Sequence, residues 1–274
     1  MSTFKTTADH TQSVNQIRLI FFSLICLPFL VHGTTAFADS ASPEINVGNA
    51  PELHAGDEKD AHIAYKLSLS NYATHNLQAN DINLRADLDN QRGWIGYYKE
   101  SATGFEQWRA GYERTDHIGL LDIDSSLQAA DHDFLGGSIT ATIGAPFFGI
   151  IGYGRTNLKP YANLNFDPND AITLGAGYKI ADDSSVTLFL VRDNRVVPGQ
   201  QNLHLLIKSP LPNQQRLTLD VFNKSGPADQ GQSIHGTGAS ITYDWSKFFV
   251  RFAYDPKVNF TQEYMTRTSI GMYF

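Results

Sequence analysis

Charged side chains at alternating positions are the residues of this chain most able to do chemistry. Positions two apart share one face of a β-strand, so charges with this spacing stand together on one side of a sheet. Such a row can line a narrow aqueous passage and select solutes by charge and dipole. The candidate lining residues are Arg85, Asp87, Asp89, Arg109, Glu113, Asp122, Asp124, Lys179, Lys208, Arg216, Asp220, Arg251 and Arg267.

The segment from Ser233 to Thr237 contains a His-x-Thr sequence that could perform nucleophilic catalysis. An imidazole takes the proton of a neighbouring hydroxyl and makes it a nucleophile. The branched Thr237 is a poorer nucleophile than serine, and no acidic or amide residue is placed by spacing to orient His235. We therefore assign no catalytic residue, but His235 is the basis of an alternative, enzymatic function.

Metal ligation is not indicated by the remaining candidates. Asp87-x-Asp89 and Asp122-x-Asp124 each place two carboxylates on one face, as calcium sites do, but neither lies in an EF-hand loop. Three histidines on separate segments lack ligand spacing: His62, His117 and His204. We expect no metal site and no cofactor.

β-strands must position these side chains. From His62 onward, short alternating segments follow one another every 10 to 15 residues or so, separated by clusters of Gly, Asn, Asp, Pro or Ser. Residues 159–170 contain two prolines and three asparagines, and we interpret them as an outer loop. The count is then about 14 strands, an even number as a single-chain bacterial barrel requires, with 12 or 16 as alternatives.

The last strand, Glu263 to Phe274, carries the most informative pattern. Phe274, Met272 and Ile270 share one face, whereas Tyr273 and Arg267 share the other. A closing strand that alternates in this way and ends on Phe resembles the last strand of Gram-negative outer-membrane β-barrels. The resemblance concerns a class of proteins, and it implies a closed antiparallel transmembrane barrel inserted by the barrel-assembly machinery into outer-membrane lipid.

Connection lengths agree with this interpretation. Counted back from Phe274, the short links 145–146, 181–185 and 244–247 fall at the periplasmic end, and the longer 194–201, 225–232 and 256–262 fall outside. The competing fold is a soluble β-sandwich or jelly roll, which alternates in the same way. Aromatic residues near the segment ends favour the barrel, since they predict an interfacial girdle: Trp94, Tyr98, Trp108, Tyr112, Tyr178, Tyr243, Trp245 and Tyr254.

The first 38 residues have the features of a signal peptide. Leu19 to Val31 is apolar but too short to span a bilayer as a helix, and Ala36-Phe37-Ala38 offers a cleavage site. Cys26, the chain's one cysteine, follows Ile25, which does not fit a lipobox. Residues 39–59 read as a flexible periplasmic lead-in, and 60–274 as the barrel.

The mature chain is acidic. Cleavage at Ala38 would remove two of 21 basic residues and one of 28 acidic residues, which leaves a formal charge of −8. This charge argues against a nucleic-acid partner.

Two arrangements of the lumenal charges remain open. The acids of the early strands and the bases of the later strands, among them Lys224, could form opposite walls of a pore. Alternatively, the charges pair across strands and plug the lumen, Arg85 with Asp87 or Asp89 and Arg216 with Asp220. A pore is favoured, because side chains alone can fill a barrel of ~8 strands, whereas a barrel of about 14 strands encloses more space than they fill.

Three functions follow. The first is passive diffusion of small hydrophilic solutes. The second is lipid hydrolysis through His235, because His235-x-Thr237 resembles the His-x-Ser that outer-membrane lipid hydrolases carry on their outer wall. The third is a non-conducting structural or anchoring barrel.

Overall fold

The described residues fold into a closed antiparallel barrel of 14 strands, in which each strand is hydrogen-bonded to its sequence neighbours and the last strand to the first. A computed structural model describes residues 63–181, 183–228 and 231–274. The strands are β1 Ala64–Ala73, β2 Gln78–Leu88, β3 Gln91–Glu100, β4 Glu106–Ile118, β5 Leu121–Ala130, β6 Phe134–Ile143, β7 Phe147–Thr156, β8 Ala171–Ala181, β9 Ser184–Asp193, β10 Gln201–Leu211, β11 Gln215–Pro227, β12 Ser233–Asp244, β13 Phe248–Asp255 and β14 Met265–Tyr273. The predicted fold is confirmed. The predicted signal peptide and lead-in lie outside the described residues.

The barrel closes where the last strand meets the first. Leu67 pairs with Met272 and Ser70 with Ser269 along this seam. Tyr65 and Phe274 exchange both backbone bonds, at 2.8 and 3.0 Å. The seam leaves neither terminal strand with a free edge, which is the condition for a sheet to span lipid.

The outer surface is apolar, and aromatic pairs lie at both ends of the barrel. Strands of 8 to 13 residues suit a hydrocarbon core that a tilted strand crosses in about 9–11. Outward aromatic pairs include Phe147 with Tyr178 at the end of the short turns, and Tyr97 with Trp108 at the opposite end. Of the eight predicted girdle residues, Trp108, Tyr112, Tyr178, Trp245 and Tyr254 are exposed on the outer face, and Tyr243 packs beside Trp245.

Two girdle predictions were wrong, because Trp94 and Tyr98 face the lumen. Trp94 lines the internal cavity, and Tyr98 is 4% exposed. Apolar residues lie on both faces of β3, with Ile95 and Tyr97 outside, so alternation alone did not identify the lumenal face. Trp94 lies flat on the neighbouring strand, where a Cβ at Gly111 would stand 2.4 Å from the indole. The absence of a side chain at Gly111 leaves room for the indole ring against the barrel wall.

The two ends of the barrel differ in their connections. Six turns of two or three residues join strands at one end, termed the turn end, which also holds the start of β1 and the C-terminus. The other, termed the loop end, carries connections of up to 14 residues, the longest being 157–170. The connection 256–264 contains a 3₁₀ turn at Val258–Phe260. Within the described residues, no helix has the length and apolar character to cross a membrane.

Candidate functional site: the barrel lumen

The lumen holds a polar cavity of about 280 Å³. Its wall is built from the inward faces of β1–β5 and β9–β14, and residues 161–167 contribute the part nearest the loop end. Six predicted lining residues lie around it: Arg85, Arg109, Glu113, Asp220, Arg251 and Arg267.

The other predicted lining residues lie nearer the turn end. By strand parity, five face the lumen there without bordering the cavity: Asp122, Asp124, Lys179, Lys208 and Arg216. Lys179 and Lys208 both lie opposite Ser185 on the strand between them, and Arg216 is a diagonal neighbour of Lys208, so these three cations lie close together. Asp87 is also inward on β2. Asp89 is not on the wall, since it is exposed in the β2–β3 turn with a φ of 49°, a backbone region that Asp tolerates.

Residues 157–170 fold into the barrel instead of projecting outward. On one side, the Gln107 side chain donates to the Pro160 carbonyl at 3.0 Å and accepts from the Ala162 amide at 2.8 Å. Tyr161 stacks on Phe134 with ring centroids 4.1 Å apart. The prediction of a loop was therefore correct, but the loop turns into the lumen and not outward as predicted.

The far side of this segment is held by β10 and β14. Asp167 accepts hydrogen bonds from Asn202 at 2.5 Å and His204 at 2.9 Å. Arg267 donates to the Leu164 carbonyl at 3.2 Å. Residues 157–170 therefore cross the lumen from one wall to another and narrow it at the loop end.

His204 is the centre of this attachment. One ring nitrogen bonds Asp167 at 2.9 Å and the other bonds Asp220 at 3.0 Å. The ring is 4% exposed and is stacked against Phe189 and Phe222. Burial by itself would raise the pKa of the Asp167 carboxyl, but the neighbouring His204 and Asn202 outweigh it and hold that pKa below its ordinary value of 3.8.

The wall formed by β2–β4 is a network of ion pairs. Asp87 bonds Arg85 at 3.0 Å and Arg92 at 2.6 Å, and Arg92 also bonds Glu113 at 3.0 Å. Arg109 pairs with Asp81. The predicted separation of acids and bases onto opposite walls was wrong here, because three arginines alternate with the acids on this wall.

Of the two predicted pairings among the lumenal charges, one is present and the other is replaced. Arg85 pairs with Asp87 as one prediction stated, whereas Arg216 lies 3.5 Å from Asp244 and not against Asp220. Lys224 is fully buried and bonds Asp255 at 2.5 Å, so this predicted member of the basic wall belongs to a packed ion pair under the 3₁₀ turn. Lumenal residues missed from the sequence include Lys66, Asp81, Arg92 and Asp167.

His235 lies on the outer face near the loop end, where its parity placed it. Its Nε2 is 2.8 Å from Ser233 Oγ, while Thr237 bonds Asn223. The predicted His235 and Thr237 combination is therefore not formed. Within the described residues, no set of three or more His, Cys, Asp or Glu is placed to hold a metal ion.

Comparison with known proteins gives a likeness of structure. No protein-family profile and no curated protein sequence matches the chain. Omp33 of Acinetobacter baumannii superposes with a TM-score of 0.52 at 10% identity, over 77% of this chain and 97% of that one. The fold is that of an outer-membrane β-barrel. The predicted resemblance to this class is confirmed at the level of fold.

Two further solved barrels align over similar lengths. The KdgM porin has a TM-score of 0.42 at 8% identity, over 76% of this chain and 98% of that one. OmpF of Salmonella typhi, in a complex with daunomycin, has a TM-score of 0.42 at 11% identity, over 78% and 97%.

Proposed function

We propose that this protein is an outer-membrane pore for passive diffusion of small hydrophilic solutes. The observation that carries the proposal is a polar, charged cavity inside a closed barrel whose outer surface is apolar. A lumen serving merely as a structural core would be filled, as side chains fill barrels of ~8 strands. Residues 157–170 are the element that restricts passage, because they cross the lumen above the cavity.

We further propose that the turn end faces the periplasm. Short turns on that side and longer connections on the other match the asymmetry of bacterial barrels. Outer-membrane lipid would cover the apolar face, and the barrel-assembly machinery would recognise β14 with its terminal Phe274.

Conductance in planar bilayers tests the pore. Purified protein is expected to give discrete current steps. Ser68 and Leu69 are adjacent residues of β1 on opposite faces, since Ser68 lines the cavity and Leu69 is 48% exposed outside. Ser68→Trp should reduce the step, whereas Leu69→Trp adds the same bulk towards lipid and should leave it unchanged. A folded barrel that conducts nothing contradicts the proposal.

A further inference from the structure

Cations border the cavity on several walls, but the carboxylates that border it are unevenly distributed. Three of the cations stand on adjacent strands around the seam: Arg251 on β13, Arg267 on β14 and Lys66 on β1. We call these three residues the basic track. The Asp and Glu residues that border the cavity are Asp81, Glu113, Asp167 and Asp220, and none is on β12, β13, β14 or β1.

Each cavity acid is also bonded to a basic side chain outside the basic track. Arg109 bonds Asp81, and Arg92 bonds Glu113. His204 lies between the remaining two acids, Asp167 and Asp220. Along the cavity, the seam wall therefore carries cations and no carboxylate. The inward acids of β12 and β13, Asp244 and Asp255, lie at the two ends of this wall and are bonded to Tyr273 and Lys224.

The basic track runs along the barrel wall in the direction of passage. Arg267 is paired with Tyr72 and Ser269 with Ser70, while Arg251 is paired with Ser269. The two guanidinium-bearing residues are thus diagonal neighbours, a relation of about 7–8 Å between backbones. Lys66 lies on β1 four residues from Ser70 towards the turn end, a distance of about 13 Å along the strand at about 3.4 Å per residue. A solute passing down the wall meets the cations in succession.

Hydroxyl groups occupy the same wall. Ser70 and Ser269 bond each other at 2.7 Å, and Thr242 accepts from Arg251 Nε at 2.9 Å. Arg267 donates through Nε to Ser269 at 3.3 Å and through Nη1 to Leu164. These contacts use two of its five N–H donors and fix the orientation of the guanidinium group.

We propose that the basic track is a binding wall for small organic anions that carry a carboxylate and several hydroxyl groups. Guanidinium and ammonium groups bind the carboxylate, and serine and threonine hydroxyls exchange hydrogen bonds with the polyol. A cavity of about 280 Å³ restricts the ligand to a small one. This inference rests on the proposed pore and adds its substrate class.

Reversal potential across a KCl gradient tests the charge preference. The full protein is expected to pass chloride in preference to potassium, although its net charge is −7. Arg251→Gln with Arg267→Gln should lower the chloride-to-potassium permeability ratio about fivefold, as expected for two charges removed from the path at partly screened distances. Lys99→Gln removes a charge from the outer face and should change nothing. The Arg251→Lys, Arg267→Lys protein should retain the wild-type ratio.

Gluconate is the probe for the chemical class. Added to KCl, it should reduce the current through the wild type at concentrations where glucose, equally hydroxylated but uncharged, has no effect. The double Gln variant should need about tenfold more gluconate, the change that the loss of one charge-assisted contact predicts. A potassium-selective wild type, a double Gln variant equal to Lys99→Gln, or equal block by glucose would overturn the basic-track proposal while leaving the pore intact.

A silent protein would instead contradict the pore. Calorimetric titration of gluconate into the folded protein in detergent then decides the binding wall separately. Heat of binding in the wild type that is lost in the double Gln variant supports the wall. Equal heats in the two proteins, or none in the wild type, contradict it.

Discussion

Asp167→Asn should loosen the segment that narrows the lumen. The substitution keeps the size of the side chain and its bond from Asn202, but it removes the carboxylate that bonds His204 at 2.9 Å. A hydrogen bond to a charged group contributes about 1.5–3 kcal/mol. Since each 1.4 kcal/mol is a factor of ten, the detached population of this segment should rise about 10- to 100-fold.

Single-channel recording measures this change directly. The variant should show more frequent or longer openings to a larger conductance than the wild type. Asp133→Asn is the matched control, because Asp133 is exposed in the β5–β6 turn at the same end and its backbone conformation suits Asn. Identical conductance distributions for all three proteins would refute the assignment of residues 157–170 as the restricting element.

The same contact predicts a pH dependence. The pKa of Asp167 lies below 3.8, so its contribution is fully present above that value and is lost as the pH falls through the lowered pKa. Wild-type conductance should therefore be constant from pH 7 to about 4 and should increase at lower pH. The Asp167→Asn protein should show the larger conductance throughout, and a wild-type transition centred above pH 5 would contradict this reasoning.

Two further predictions concern packing inside the lumen. Lys224→Met leaves Asp255 buried without its cation and should lower the free energy of unfolding in detergent by about 3–5 kcal/mol. Adding Asp255→Leu should recover most of the lost stability. A Lys224→Met protein as stable as the wild type would contradict the assigned pair. Gly111→Ala should displace the Trp94 ring into the cavity and reduce the conductance. Adding Trp94→Ala should restore the conductance. An unchanged current step in Gly111→Ala would contradict displacement of the ring into the cavity.

Sequence periodicity predicted the barrel well because a strand between lipid and water must alternate at every position. The same rule failed on β3, where Trp94 and Tyr98 are large and apolar yet lumenal. Placing Trp94 inside would have placed Arg92 inside as well, since the two share parity. Arg92 and Glu113 would then have been predicted to face the same lumen, although their ion pair depends on the β3–β4 register that places them opposite each other.

The site could not be predicted to the same degree, because contacts between distant residues determine it. Nothing local in 157–170 indicates that these residues turn inward. Their anchors are Gln107 and His204, which lie well before and after them in the chain. Arg216 illustrates the limit for charges, since its partner Asp244 follows from the β11–β12 register and not from spacing along one strand.

Site-directed thiol modification tests most directly whether solutes pass through this lumen. In a Cys26→Ser background the chain has no cysteine, so a single Cys can be introduced at either of two positions on β12. Ser240 lines the cavity, whereas Thr237 is exposed on the outer face of the same strand. A charged methanethiosulfonate reagent should reduce the current steps of Ser240→Cys and leave those of Thr237→Cys unchanged. Full labelling of Ser240→Cys by mass, with no change in current, would contradict a pathway through the barrel.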